Sequence, residues 1–326
     1  MFENRRTSTA FVPSLTAALA WGAMFPIAAV AIEHVDPFPL TAIRYGVAAI
    51  VFLALLWAIE GRRALRTEGR GRELFVLGSL GFAGFNLLSY VGLEHTHPQN
   101  AALIIALQPL VTAVALWITA RQLPARATFV AMAVALFGVT LVISRGKPST
   151  LMSGDGLLGE VLVLIGCVSW IAYTLGARRF AGFSPLRYTA LSASLGTLTI
   201  FAATAIAVAV GFESLPSPAD IGAVWWHTLY IIAAGAVIAV FAWNEGVRRI
   251  GPANAALFLN LVPVISFAIA IAIQGYDPNA FELLGALITI GALVYANLAG
   301  RVTGPAPGRR ARPRPSGAPA RGARSA

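Results

Sequence analysis

Charge is what this chain has least of: 12% of its 326 residues are Asp, Glu, Lys or Arg, where a soluble domain carries about 25%. It cannot coat itself with solvated side chains. With 57% hydrophobic residues and a mean hydropathy of +0.74, its solvent is lipid. There is one cysteine, Cys167. It can form no internal disulfide, and without a second thiol or a nearby histidine cluster it reads as a small core hydrophobe rather than a metal ligand. Mid-span nucleophiles, metal clusters and paired carboxylates are also lacking, and His227 stands isolated. A membrane enzyme would need one of these, so we expect no enzymatic activity and no cofactor.

What is present is a series of charge-free stretches near the roughly 20 apolar residues that span a bilayer as a helix. They cover residues 7–32, 45–59, 74–93, 95–120, 127–144, 161–177, 188–212, 221–244, 250–276 and 283–300, ten in all. The second extends back to about residue 39 once Arg44 is taken into it. Backbone groups in hydrocarbon must pair within their own segment, so each stretch is expected to be helical. The first has the basic flank of a secretory signal, but its 26 apolar residues exceed a signal's core of about 7 to 15.

The net charge of +10 suggests nucleic acid only until the 24 basic residues are placed on ten spans. Twenty-one then fall on one side, and without the two termini the bias is still 12 against 2, with only Arg145 and Lys147 opposite and Arg44 inside a span. By the positive-inside rule both termini are cytoplasmic. Residues 1–10 form a short cytoplasmic N-terminus. Residues 145–156 form an extracytoplasmic linker, and the Arg-, Pro- and Gly-rich stretch 301–326 reads as a disordered tail near anionic lipid. The expected partners are the bilayer and a small-molecule substrate, with no nucleic acid, in a monomer or weak homo-oligomer.

Two segments match at a spacing of 154 residues: Gly-Leu-Glu-His-Thr-His-Pro-Gln-Asn-Ala-Ala-Leu from Gly92 and Gly-Val-Arg-Arg-Ile-Gly-Pro-Ala-Asn-Ala-Ala-Leu from Gly246. Pro109 pairs with Pro263 at the same spacing, Trp21 pairs with Trp170, and Gly138 with Gly291. Repeats are therefore expected over 11–144 and 157–300. Five helices per repeat force the second copy to enter from the opposite face, giving an all-α membrane protein of two inverted-topology repeats. That is an architecture of transporters working by alternating access.

The pattern from Asn100 to Pro109, repeated from Asn254 to Pro263, resembles the drug/metabolite transporter superfamily, and most closely its ten-helix, two-repeat branch, the EamA family. Trp21-Gly22, Arg44-Tyr45 and Trp243-Asn244-Glu245-Gly246 share in the resemblance, which covers about residues 14 to 300. It implies an inner-membrane exporter of small metabolites, amino acids among them, including aromatic ones. Small multidrug exporters of the same superfamily exchange cations for protons on a first-helix carboxylate, and no acid occurs here between Asn4 and Ile32. Sugar-phosphate exchangers bind phosphate through several basic residues, and here Arg44 alone is intramembrane.

Candidate substrate contacts follow from polar and aromatic residues at membrane depth. Pro109 and Pro263, as interior prolines, each free the carbonyl four residues back, those of Ile105 and Leu259. Matching interruptions in two halves point to a transporter's site and mark both prolines as hinges. Beside them Gln108 and Asn260 either reach the substrate or bond helix to helix. Arg44 either takes a carboxylate bidentately or snorkels about 7 Å outward to Glu33 or Asp36. Asn86 and Tyr90 lie one turn apart on the third span. Trp21, Trp170, Tyr173 and Trp243 either line an aromatic cavity able to hold an ammonium group or pack in the core. Glu245 is expected to form a surface ion pair with Arg248 and Arg249.

Overall fold

The computed structural model describes residues 9–96, 104–147, 149, 156–275 and 277–302. Every regular element among them is helical. We label α1 Val12–Ile32, α2 Pro37–Glu60, α3 Gly71–Glu94, α4 Gln108–Ala120, α5 Arg126–Ser144, α6 Leu157–Gly176 and α7 Pro185–Ala209. Then follow α8 Trp225–Ile250, α9 from Pro252 to Gln274, and α10 Ala280–Val302. Seven of these, α2, α3 and α5 to α9, are long and apolar enough to cross a membrane, and α1, bent by 40° beside Pro26, makes eight. Helices α4 and α10 carry shorter apolar runs. The first copy of the repeated Asn-Ala-Ala-Leu motif, residues 303–326 of the tail and most of the linker lie outside the described residues, while the first two residues of the expected tail belong to α10.

Helix ends follow local chemistry. Proline opens α2, α7 and α9, where its missing N–H costs nothing. Ser184 caps α7 by accepting from the Arg187 amide at 2.9 Å. Gly61 ends α2 and Gly251 separates α8 from α9 with φ near +80°, a region that side chains with a Cβ avoid. Helix α2 starts at Pro37, two residues before the expected start, so Arg44 lies seven residues, or about 10 Å, along it.

Packing is organised across the two halves. Helix α1 packs against α8 and α9, α3 against α6, α2 against α7, and α5 against α10. The α2 and α7 axes are antiparallel: Glu60 meets Ser184 at one end, Tyr45 meets Thr197 near the middle, and Phe38 meets Thr204 at the other. Buried aromatics fill the centre, whereas the outer surface shows Ile50, Leu164, Ile206 and Leu287 to the surroundings. An apolar exterior of this extent belongs in hydrocarbon. The chain is a multi-pass membrane protein.

Each end is tied by different chemistry. At the Pro37 end, the Phe38 amide donates to the Glu213 carboxylate at 3.1 Å, and the Ser214 amide donates to Asp36 at 2.7 Å. At the Glu60 end the links are arginine-rich. Arg187 pairs with Glu68 at 2.7 Å and donates to the carbonyls of Ala64 and Arg66, and Arg70 reaches the Arg179 carbonyl. Glu245 accepts from Arg248 at 2.7 and 2.9 Å and also pairs with Arg249, so the expected ion pair forms, although its carboxylate is buried while the arginines are exposed.

Candidate functional site

A cavity of about 70 Å³ lies between the halves. The first half contributes Trp21 and Met24 from α1, Arg44 and Tyr45 from α2, Phe85 and Asn86 from α3, and Ile105 and Gln108 at the start of α4. The second contributes Trp170 from α6 and Leu259 and Val262 from α9. No acidic side chain is among them.

Arg44 is 4% exposed, and its guanidinium is turned to the Gly235 carbonyl rather than outward to Glu33 or Asp36. Asp36 is turned to the Ser214 amide instead. The guanidinium lies 4.7 Å from the centre of the Tyr45 ring and gives one Nη2 hydrogen bond of 3.3 Å to the Gly235 carbonyl. Its buried Nε has no partner. A buried donor left unpaired costs about 1–3 kcal/mol, more when charged. An acceptor arriving in the cavity would recover that loss.

The Gly235 carbonyl also accepts from Trp21 Nε1 at 2.9 Å. Gly235 belongs to a π-helical stretch of α8, Ile231–Ile238, and α3 contains its counterpart, Ser79–Gly84. Wider turns of this kind loosen the regular ladder and recur at functional sites. In α3 the Phe82 carbonyl within the π stretch accepts from Asn86 Nδ2 at 2.8 Å, and the same nitrogen lies 3.4 Å from Tyr45 Oη. Sequence reasoning missed both stretches, although Gly81 and Gly235 stand at the 154-residue spacing of the repeat.

The prolines differ in detail from the expected interior kinks. The chain tightens at Leu107, whose amide bonds to Ile104, and α4 restarts with Pro109 in its first turn. Helix α9 tightens to a 3-10 turn at Phe258–Asn260 and resumes at Leu261, two residues before Pro263. Proline is tolerated in a first turn, so each break precedes its proline. Ile105 and Leu259, whose carbonyls the prolines leave free, both line the cavity.

The remaining candidates divide. Trp21 and Trp170 meet edge to face, 5.7 Å between centroids, and form an aromatic wall. Trp243 packs against both at tilted angles, 5.7 and 6.0 Å between centroids, and donates to Thr174 Oγ1 at 3.2 Å. Tyr173 is fully buried between Phe82, Trp170 and Tyr188, and its hydroxyl accepts from Asn244 at 2.8 Å. These two support the wall without lining it. Tyr90 lies next to Thr41 and within electrostatic reach of Arg44, outside the lining. Gln108 lines the cavity and faces Cys167. Asn260 is 0% exposed, and neither amide atom has a partner. Met24, Tyr45, Phe85 and Val262 are lining residues that sequence reasoning passed over as candidates.

With this geometry in view, comparison with known proteins is informative. The sequence profile of the EamA-like transporter family matches twice, over residues 10–144 and 157–298. The uncharacterized transporter YrdR of Bacillus subtilis is 34% identical over 288 residues, covering 87% of this chain and 89% of its own length. The uncharacterized inner membrane transporter YedA of Escherichia coli is 25% identical over 284 residues, covering 86% and 88%. A solved crystal structure, 21% identical, shares the fold with a TM-score of 0.76 over 90% of this chain and 98% of that one. The chain is a membrane transporter, and it belongs to the EamA-like transporter family.

Proposed function

We propose that the protein exports small metabolites, amino acids foremost, across the inner membrane by alternating access. The observation that carries this reading is Arg44, a buried cation in an aromatic cavity, without a carboxylate partner and with an unused Nε–H. A substrate carboxylate would take the Arg44 donors. The substrate ammonium would face the aromatic wall of Trp21 and Trp170. A cationic drug would meet an uncompensated positive charge. A sugar phosphate would find only one guanidinium.

The ten-span, inverted-repeat architecture is part of the proposal. It is supported by the double family match, by the two short apolar helices that raise the span count to ten, and by α1 packing against α8 as α3 packs against α6. The bias of basic loop residues toward one face supports a cytoplasmic position for both termini. A cavity of 70 Å³ holds a few waters and no metabolite, so substrate entry has to widen it, and the links at the two ends of α2 are ones that would give way.

Counterflow in proteoliposomes tests the reading. Vesicles loaded with one unlabelled amino acid at millimolar concentration should accumulate its labelled form transiently. No counterflow across all twenty amino acids, with the purified protein monodisperse and folded, would sink it.

A further inference from the structure

The Glu60 end carries a second site, unconnected with the central cavity. Directly after α2 the chain makes a 3-10 turn, Arg62–Leu65, and the side chains of Arg62, Arg63, Leu65 and Arg66 line an open pocket of about 540 Å³. Three exposed guanidinium-bearing residues within five positions repel one another. They persist together at low cost only if something anionic lies between them or solvent screens them.

The acids of this end are committed elsewhere. Glu68 pairs with Arg187, Glu73 with Arg70 and Arg179, and Glu60 accepts from the Ser184 hydroxyl. Arg62, Arg63 and Arg66 are left without a carboxylate partner among the described residues. The backbone beneath them is held firmly, because Arg187 Nε donates to the Ala64 carbonyl at 2.9 Å and Arg187 Nη2 to that of Arg66 at 2.6 Å. Arg187 itself lies 3.9 Å over the Phe183 ring. The three arginines thus project from a turn that is already ordered, so a ligand need not order the backbone.

The position in the membrane selects the ligand. The last turns of α2 present Trp57, 61% exposed, and Ile59 to the exterior, one turn before the pocket. An exposed indole at a helix end sits at headgroup level. The arginines following it are therefore level with lipid phosphates, and Leu65 gives the pocket an apolar side facing the chains.

We infer that Arg62, Arg63 and Arg66 form a binding site for the phosphate headgroup of an anionic phospholipid. The guanidinium planes grip phosphate oxygens bidentately where an ammonium would act as a point charge. Bound lipid neutralises the cluster beside the Glu68–Arg187 and Glu73–Arg70 links that close this end of the transporter. The site depends on the membrane reading of the chain and not on the substrate or the direction of transport.

Native mass spectrometry of the purified full-length protein in neutral detergent tests it, with phosphatidylglycerol and phosphatidylcholine titrated separately. We expect phosphatidylglycerol adducts on the wild type, weakened about fivefold for each arginine removed and about a hundredfold in the triple variant Arg62→Gln, Arg63→Gln, Arg66→Gln. The thermal midpoint should be unchanged in lipid-free detergent, because these side chains have no hydrogen-bond or ion-pair partner among the described residues. The control variant Arg121→Gln, Arg126→Gln, which removes two arginines from another loop, should bind lipid as the wild type does. Equal loss in the control would show diffuse charge attraction and overturn the site, as would equal affinity for phosphatidylcholine. Inorganic phosphate displacing the lipid at millimolar concentration would assign the pocket to a soluble anion and overturn the lipid.

Discussion

Gly81 and Gly235, 154 residues apart, occupy equivalent places in opposite halves. A Cβ on Gly81 would lie 2.4 Å from Cγ of Tyr173, and one on Gly235 would lie 2.4 Å from Sδ of Met24. Met24 and Tyr173 are 149 residues apart, the spacing of Trp21 and Trp170. The same rule holds one level outward, where Gly246 faces Ser14 and Gly92 faces Val163, again 149 apart. The third helix of each half therefore crosses the first helix of the other half at the same two glycines, and both π stretches lie at this crossing. Small residues permit the close approach that lipid cannot drive by the hydrophobic effect. The cavity lies beside the crossing, so movement of one half against the other changes its walls directly.

Arg44→Ala should weaken transport of an amino acid far more than that of its uncharged amide analogue. A charge-assisted hydrogen bond contributes about 1.5–3 kcal/mol, so the apparent affinity should fall about tenfold to a hundredfold. Arg44→Lys should recover only part, because a lysine makes no bidentate contact. Equal losses for acid and amide, accompanied by a lower thermal midpoint, would make Arg44 a structural residue.

Pro109→Ala and Pro263→Ala each supply an N–H able to bond the carbonyl four residues back, that of Ile105 or of Leu259, and so to close the helix across the break that precedes the proline and straighten one half. A bias of about 2.7 kcal/mol between two open states would put about 99% of molecules in one of them. Transport should drop while the protein still folds. If the halves are inverted, labelling of a cysteine introduced by Gln108→Cys should rise in one variant and fall in the other. Shifts in the same direction would disprove the symmetric bend.

Glu213, in the connection between α7 and α8, has its carboxyl raised above the ordinary carboxylate value, first by burial and then by the facing carboxylates of Asp36 and Glu94, against the stabilising Phe38 amide. Tyr90 of α3 also faces it. In an open state with Glu213 in water the carboxyl would return to its ordinary value, so the closed state binds the proton more tightly. Linkage gives the sign: closure at this end strengthens as pH falls through the interval between the raised and the ordinary value, and the gain is lost above it. Accessibility of a cysteine placed by Thr204→Cys, at a position buried against Phe38 at this end, should therefore decrease on acidification through that interval. Glu213→Gln, which resembles the protonated form, should remove the dependence. A profile unchanged by Glu213→Gln would assign the titration to another group.

The amino-acid sequence alone determined the solvent, the bias of basic loops, the matched halves and the proline pair. Each depends on composition or on spacing along one chain, which the bilayer and helix geometry translate directly. Which aromatic faces the cavity was decided only by tertiary structure. Trp170 and Tyr173 are three residues apart on α6, yet one lines the cavity and the other lies behind it. A helix apolar on every side has no polar stripe to orient it, so the neighbours alone set its rotation. The same holds for Arg44. Asp36 lies eight residues upstream in sequence, but a loop from the other half offers it the Ser214 amide, and the guanidinium is left facing the cavity with a donor unused.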